Sequence, residues 1–198
     1  MDSYTAARNL RIILVIIIII VAIVGLITAT RYVFFSTDSS TSKSDASETA
    51  LLSTTANRAV RMSVRGSIVA DENFKSYQIK ISPNERSLTT YSGYMRQATQ
   101  AMSLGNNVPA YEQFVYALNG YKFMSGIELS GAANDTRGVC PTGLLYEFEI
   151  LQDDKTVKKL WTTSCSSSNG SFTASLGSVK SLFASQLPGS LSAIGKLW

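Results

Sequence analysis

The chain has 198 residues, enough for a membrane anchor and one modest domain but not for two full domains. Eighteen Lys and Arg against fourteen Asp and Glu give a net charge of +4, and charged residues are only 16% against a typical ~25%. The absence of histidine excludes a His general base, a His metal ligand and an imidazole pH switch, and two cysteines are too few for a disulfide-dense mini-protein or a Cys-only zinc site.

Residues 12–29 read IILVIIIIIVAIVGLITA, a block without a charge. At ~1.5 Å per residue it spans about 27 Å, close to the ~30 Å hydrocarbon core of a bilayer. It is longer than a signal-peptide apolar region of ~7–15 residues, and Thr28-Ala29-Thr30 is a poor cleavage site. Nine isoleucines and no polar face suit lipid rather than the interior of a soluble domain. The block is therefore predicted to be a single transmembrane helix and a signal anchor, with a cleaved signal peptide the weaker alternative. Arg8 and Arg11 precede it against Asp2, while Arg31 and Lys43 follow, diluted by Asp38, Asp45 and Glu48. The positive-inside rule then predicts a cell-membrane protein with residues 1–11 in the cytoplasm and the bulk outside. Tyr32, Phe34 and Phe35 suit the outer interface.

Residues 30–56 read as a linker. Twelve of the twenty residues 36–55 are Ser or Thr, with no aromatic residue to bury. Such a stretch offsets little of its ordering entropy and is predicted to be a flexible tether, with a short helical turn at Ala50, Leu51 and Leu52.

Residues 57–198 are the predicted extracytoplasmic domain. Val60, Met62 and Val64 alternate with Arg61, Ser63 and Arg65, a half-buried strand. Tyr77, Ile79 and Ile81 mark a second strand, Pro83-Asn84-Glu85-Arg86 a turn, and residues 87–91 a third strand closing a hairpin. Met95, Ala98, Thr99 and Met102 recur at helical spacing, and Gly105-Asn106 reads as a helix stop. A second helix follows, with Pro109 in its first turn and Tyr111, Phe114, Val115 and Leu118 on one apolar face. Residues 144–151 and 157–163 flank Asp153-Asp154-Lys155 as a second hairpin. Leu176, Val179, Phe183 and Leu187 indicate a last helix over 175–187, ended by Pro188-Gly189. The order β-β-β-α-α-β-β-α predicts an α+β fold with a mostly antiparallel sheet.

Cys140 precedes the fourth of these strands and Cys165 ends the fifth, so a hairpin brings both to its open end. Outside the cytoplasm a disulfide is expected there, worth roughly 3 kcal/mol for a loop of about 26 residues.

No catalytic motif appears: no phosphate loop, dinucleotide fingerprint, zinc signature or Gly-x-Ser-x-Gly elbow. Ser-x-x-Lys occurs only at Ser40 and Lys43, inside the linker. Glu147 and Glu149 share one strand face and read as a solvated face, and Asp153-Asp154 as a turn pair rather than a calcium site. Arg58, Arg61 and Arg65 near the first strand and Lys155, Lys158 and Lys159 around the second hairpin are the candidate contacts to an anionic surface. Without a paired aromatic platform, no nucleic-acid partner is expected. Neither a cofactor nor a metal is expected, and no catalytic residue is assigned. Asn134-Asp135-Thr136 and Asn169-Gly170-Ser171 match glycosylation sequons, which matter only in a eukaryotic secretory pathway.

The runs VRGSIVADENFKSYQIKISPNERSLTTY, LGNNVPAYEQFVYAL and LYEFEIL with KKLWTTSC resemble a family of small membrane-anchored proteins of ultrasmall, host-associated bacteria with reduced genomes. The resemblance covers most of the domain, Cys140 and Cys165 included. It implies a bacterial cell-surface location and a single folded ectodomain, and it implies no activity. The sequence thus leads to a non-enzymatic envelope module binding a partner protein or an anionic wall polymer. An accessory subunit of a secretion or pilus-like complex is the alternative, and a carboxylate-dependent enzyme a more distant one.

Overall fold

Alternating apolar and polar residues make Arg58–Arg65 a strand, β1, whose Val60, Met62 and Val64 are fully buried. Lys75–Ile81 (β2), Glu85–Ser92 (β3), Gln97–Gly105 (β4), Leu145–Gln152 (β5) and Lys155–Thr163 (β6) join it in one sheet of order β4-β3-β2-β1-β5-β6, antiparallel throughout. The computed structural model describes residues 39–166 and 170–195. The fold is α+β, as the sequence predicts. The chain divides into the units Met1–Lys43 and Ser44–Trp198, and the sheet belongs to the second. The predicted transmembrane helix, residues 12–29, and the tail before it lie outside the described residues. Among the described residues no helix is long and apolar enough to cross a membrane.

Among the described residues four α-helices accompany the strands: α1 (Ser39–Leu52), α2 (Val108–Gly120), α3 (Leu176–Ser185) and the short α4 (Ser190–Ile194). Asn107 caps α2 by accepting from the Ala110 amide at 2.9 Å, and Pro109 sits in its first turn. Its predicted apolar face, Tyr111, Phe114, Val115 and Leu118, is buried. Val179 and Phe183 of α3 join the same core, where Phe114 and Phe183 meet edge to face at 5.3 Å. Phe148 of β5 stacks on Phe172 at 4.2 Å and meets Phe123 at 5.6 Å, so three aromatics fill the centre. Burial holds the Tyr77 and Tyr111 hydroxyls protonated, their pKa values pushed well up.

The sheet departs from the sequence reading at one element. Met95, Ala98, Thr99 and Met102 fit a helical period, but Gln97–Gly105 is β4. Gly93 (φ +73°) and Arg96 (φ +57°) return the chain directly after β3. Met102 then lies opposite Leu88 and Leu104 opposite Arg86. A short apolar set satisfies both periods, and pairing with β3 decides between them. A β-bulge at Thr90/Tyr91 shifts the register. Gly105 ends a strand rather than a helix, and Asn106 locks that end by donating from its side chain to the Ser82 carbonyl at 2.6 Å.

The tether also differs from its expectation. Ser39–Leu52 is helical, and Leu51 is 1% exposed in the core. Asn119 donates to Glu48 at 2.7 Å, and Lys158 to Ser47 at 3.0 Å. The end of the predicted linker is therefore packed onto the domain.

Candidate functional site

The strand period of two sends Arg61, Ser63 and Arg65 to the face of β1 opposite the helices. Register places Arg61 beside Glu149, Ser63 beside Glu147, Glu149 beside Lys159 and Glu147 beside Trp161. Three of the six basic residues singled out in the sequence, Arg61, Arg65 and Lys159, thus converge on the two glutamates of β5. Arg61 Nε donates to Glu149 Oε2 at 2.6 Å, and Thr156 Oγ1 to Glu149 Oε1 at 2.8 Å. Lys159 Nζ lies 2.6 Å from Glu147 Oε1, and Arg65 Nη2 lies 3.7 Å from the same oxygen. Arg65 also donates to Thr136 Oγ1 at 2.6 Å, and Thr136 donates in turn to Glu147 at 3.3 Å. Lys80 of β2 pairs with Asp154 at the edge of this array.

The other three basic residues stand apart. Arg58 shares its strand face with Val60 and Met62, and its Nη1 is buried without a partner. Lys158 donates to the Met124 carbonyl at 2.6 Å, and burial lowers its pKa. Lys155 is exposed at the start of β6.

The electrostatics follow from these contacts. Burial works against ionising Glu149, but the Arg61 guanidinium, the Thr156 hydroxyl and Lys159 outweigh it, leaving the carboxyl below its ordinary range. The hydrogen bond to Glu149 raises the Arg61 pKa against the opposing effect of burial. The glutamates therefore differ from the solvated pair the sequence suggests: Glu149 is only 8% exposed and ion-paired. A general acid needs a raised pKa, and a glycosidase pair needs two carboxyls across a cleft. Glu149, held below its ordinary range, lacks the raised pKa of a general acid, and Glu147 stands beside it on the same strand rather than across a cleft.

Hydrogen-bonding capacity remains. Arg65 Nε, Trp161 Nε1 and Asn134 Oδ1 are buried without a protein partner, two donors and one acceptor. Asn134 and Thr136 belong to the first sequon, and its Thr136 hydroxyl joins the array through Arg65 and Glu147. Asn169 of the second, and the Ser40 and Lys43 side chains, lie outside the described residues. Among the described residues no group of three acidic or Cys side chains is placed to hold a metal ion.

At the open end of the β5–β6 hairpin, Cys140 and Cys165 form the expected disulfide, with Cα atoms 5.6 Å apart. Gly143 leaves room for it: a Cβ there would lie 2.6 Å from the Cys140 sulfur and 2.4 Å from the Ser164 hydroxyl. The sequence signalled Glu147, Glu149 and the cations by period alone. Thr136, Thr156 and Trp161 carried no signal, because only cross-strand register and the 131–136 segment bring them in.

Compared with known proteins, the chain matches no protein-family model and no curated protein.

Proposed function

We propose that the chain is a single-pass, membrane-anchored module of a bacterial cell envelope that binds or scaffolds outside the membrane and does not catalyse. The Cys140–Cys165 disulfide carries this reading, since such bonds persist in oxidising compartments. The charge-free block at 12–29 supplies the length of one membrane span. The Glu149 carboxyl supports a non-enzymatic role, because its cations hold it below its ordinary range instead of raising it as a general acid needs. The partly exposed Arg65 and Lys159 side chains present positive charge to an envelope protein or an anionic wall polymer.

A second reading is an accessory subunit of an envelope secretion or pilus-like complex. It is favoured by β4, which ends the sheet with one edge unpaired among the described residues. Thiol labelling on intact cells tests the common part of both readings. A membrane-impermeant maleimide should label Cys140 and Cys165 only after reduction. Labelling without reduction would overturn the disulfide, and no labelling even after reduction would overturn the exported assignment. In-cell crosslinking then tests binding, and recovery of neither envelope protein nor wall polymer would sink it.

A further inference from the structure

The two edges of the sheet are treated in opposite ways. On β6, the Lys159 amide donates to Glu128 at 3.1 Å and the Trp161 amide to Ser171 Oγ at 3.1 Å. The Trp161 carbonyl accepts from the Phe172 amide at 3.0 Å. Gly170 makes this closure feasible, since a Cβ there would lie 2.0 Å from the Trp161 carbonyl oxygen. The strand also carries Lys155, Lys158 and Lys159, and a register shift breaks its pairing at Ile150/Leu151. Capping, lysines and bulges are the usual ways a protein blunts a sheet edge.

On β4 these devices are largely missing. QATQAMSLG has no charge and no proline, and seven of its nine residues are exposed. The Asn106 amide donates to the Asn84 carbonyl and the Ser82 amide to the Glu85 carbonyl. Antiparallel alternation then turns the backbone groups of Gln100, Met102 and Leu104 toward β3, and those of Ala101 and Ser103 outward. Among the described residues no backbone group occupies them. The outer face of Gly105 is already used, its carbonyl accepting from Arg86 at 2.8 Å. The bulge restricts free pairing at Thr99.

We propose that β4 pairs antiparallel with β4 of a second copy of this chain, about a two-fold axis at Met102. This register puts Ala101 opposite Ser103 of the other copy and joins the two sheets through four backbone hydrogen bonds. It stops short of the bulge and of the occupied Gly105 carbonyl. No charge meets a like charge, because the strand has none, so it is compatible with itself. The two Met102 side chains, partly exposed at the rim of the core, meet across the axis. A two-fold contact of this kind closes and cannot propagate. The capped β6 edge likewise prevents the joined sheet from growing further.

The test uses the full chain in a mild non-ionic detergent, with mass measured by sedimentation. The wild type should be a dimer. Ala101→Pro removes an outward amide without touching the β3 pairing, and Met102→Lys sets two like charges face to face. Each should raise the dissociation constant about tenfold or more, with the far-UV spectrum unchanged. Ser181→Lys, an exposed charge change on α3, should leave the dimer intact. Met102→Cys should crosslink to its symmetry mate under mild oxidation. If Ala101→Pro fails to fold, Met102→Lys decides. A wild type monomeric up to about 100 μM, or a dimer indifferent to both variants, would overturn the proposal.

Discussion

β5 and β6 are braced from every side: Phe148 in an aromatic cluster below, Glu147 and Glu149 in an ion-pair array above, a disulfide at one end and a capped outer edge. β3 and β4 have the same antiparallel pairing, yet Leu88 is the only fully buried side chain across their seventeen residues. The contrast shows that hydrogen-bonded pairing alone does not make a strand central. Burial on both faces does, and it concentrates stability on one side of the molecule. The sparsely buried side is then the one free to change partners.

Substitutions should respond to that division. Phe148→Ala removes the ring shared by Phe172 and Phe123 and should cost about 3–5 kcal/mol in denaturant unfolding. A cost near that of a surface change would mean the braced side is not the stable one. Replacing Cys140 and Cys165 by Ser should lower stability by about 3 kcal/mol, read as a drop in Tm. Glu149→Gln leaves Arg61 half-buried without its counter-charge and should cost about 1–3 kcal/mol at neutral pH. Its pH dependence has a fixed sign. The Glu149 carboxyl is held below its ordinary value of 4.5, so its stabilisation is complete above that value and is lost as pH falls through the folded value. The gap between wild type and Glu149→Gln should close in acid, and a constant gap would contradict the ion-pair account. Ala98→Lys on β4 should change monomer stability by less than about 0.5 kcal/mol.

Local chemistry made much of this legible in the sequence. The period of two in β1, the apolar face of α2, the turn at Asp153-Asp154 and the cysteines at a hairpin's open end are short-range patterns. The Asp153-Asp154 turn matches the structure closely, both residues having positive φ as a tight hairpin requires. β4 was not legible, because four apolar or small residues satisfied a helical period and the deciding partner, β3, is a tertiary contact. Of α1 only the last turn, at Ala50, Leu51 and Leu52, is legible, for a different reason. Its sequence is polar, and Leu51 alone ties its last turn fully into the core. The ion-pair array was hidden by distance, since Arg61 and Glu149 stand 88 residues apart. Their charges look scattered until β1 pairs with β5.

The position of β1 has a mechanical consequence. The chain enters the domain from α1 and runs straight into the strand that has β2 on one side and β5 on the other. Tension arriving from the N-terminal side first draws on the docked end of α1. Once that is released, it pulls along β1 and loads both ladders in shear, so their bonds must break together rather than one at a time. Pulling on the chain ends in a single-molecule force experiment should give one high-force rupture of the sheet after α1 is released, and a stepwise low-force opening of the sheet would show that the load reaches it elsewhere. A central β1 reached directly from α1 thus sets how the domain would resist force applied from its N-terminal side.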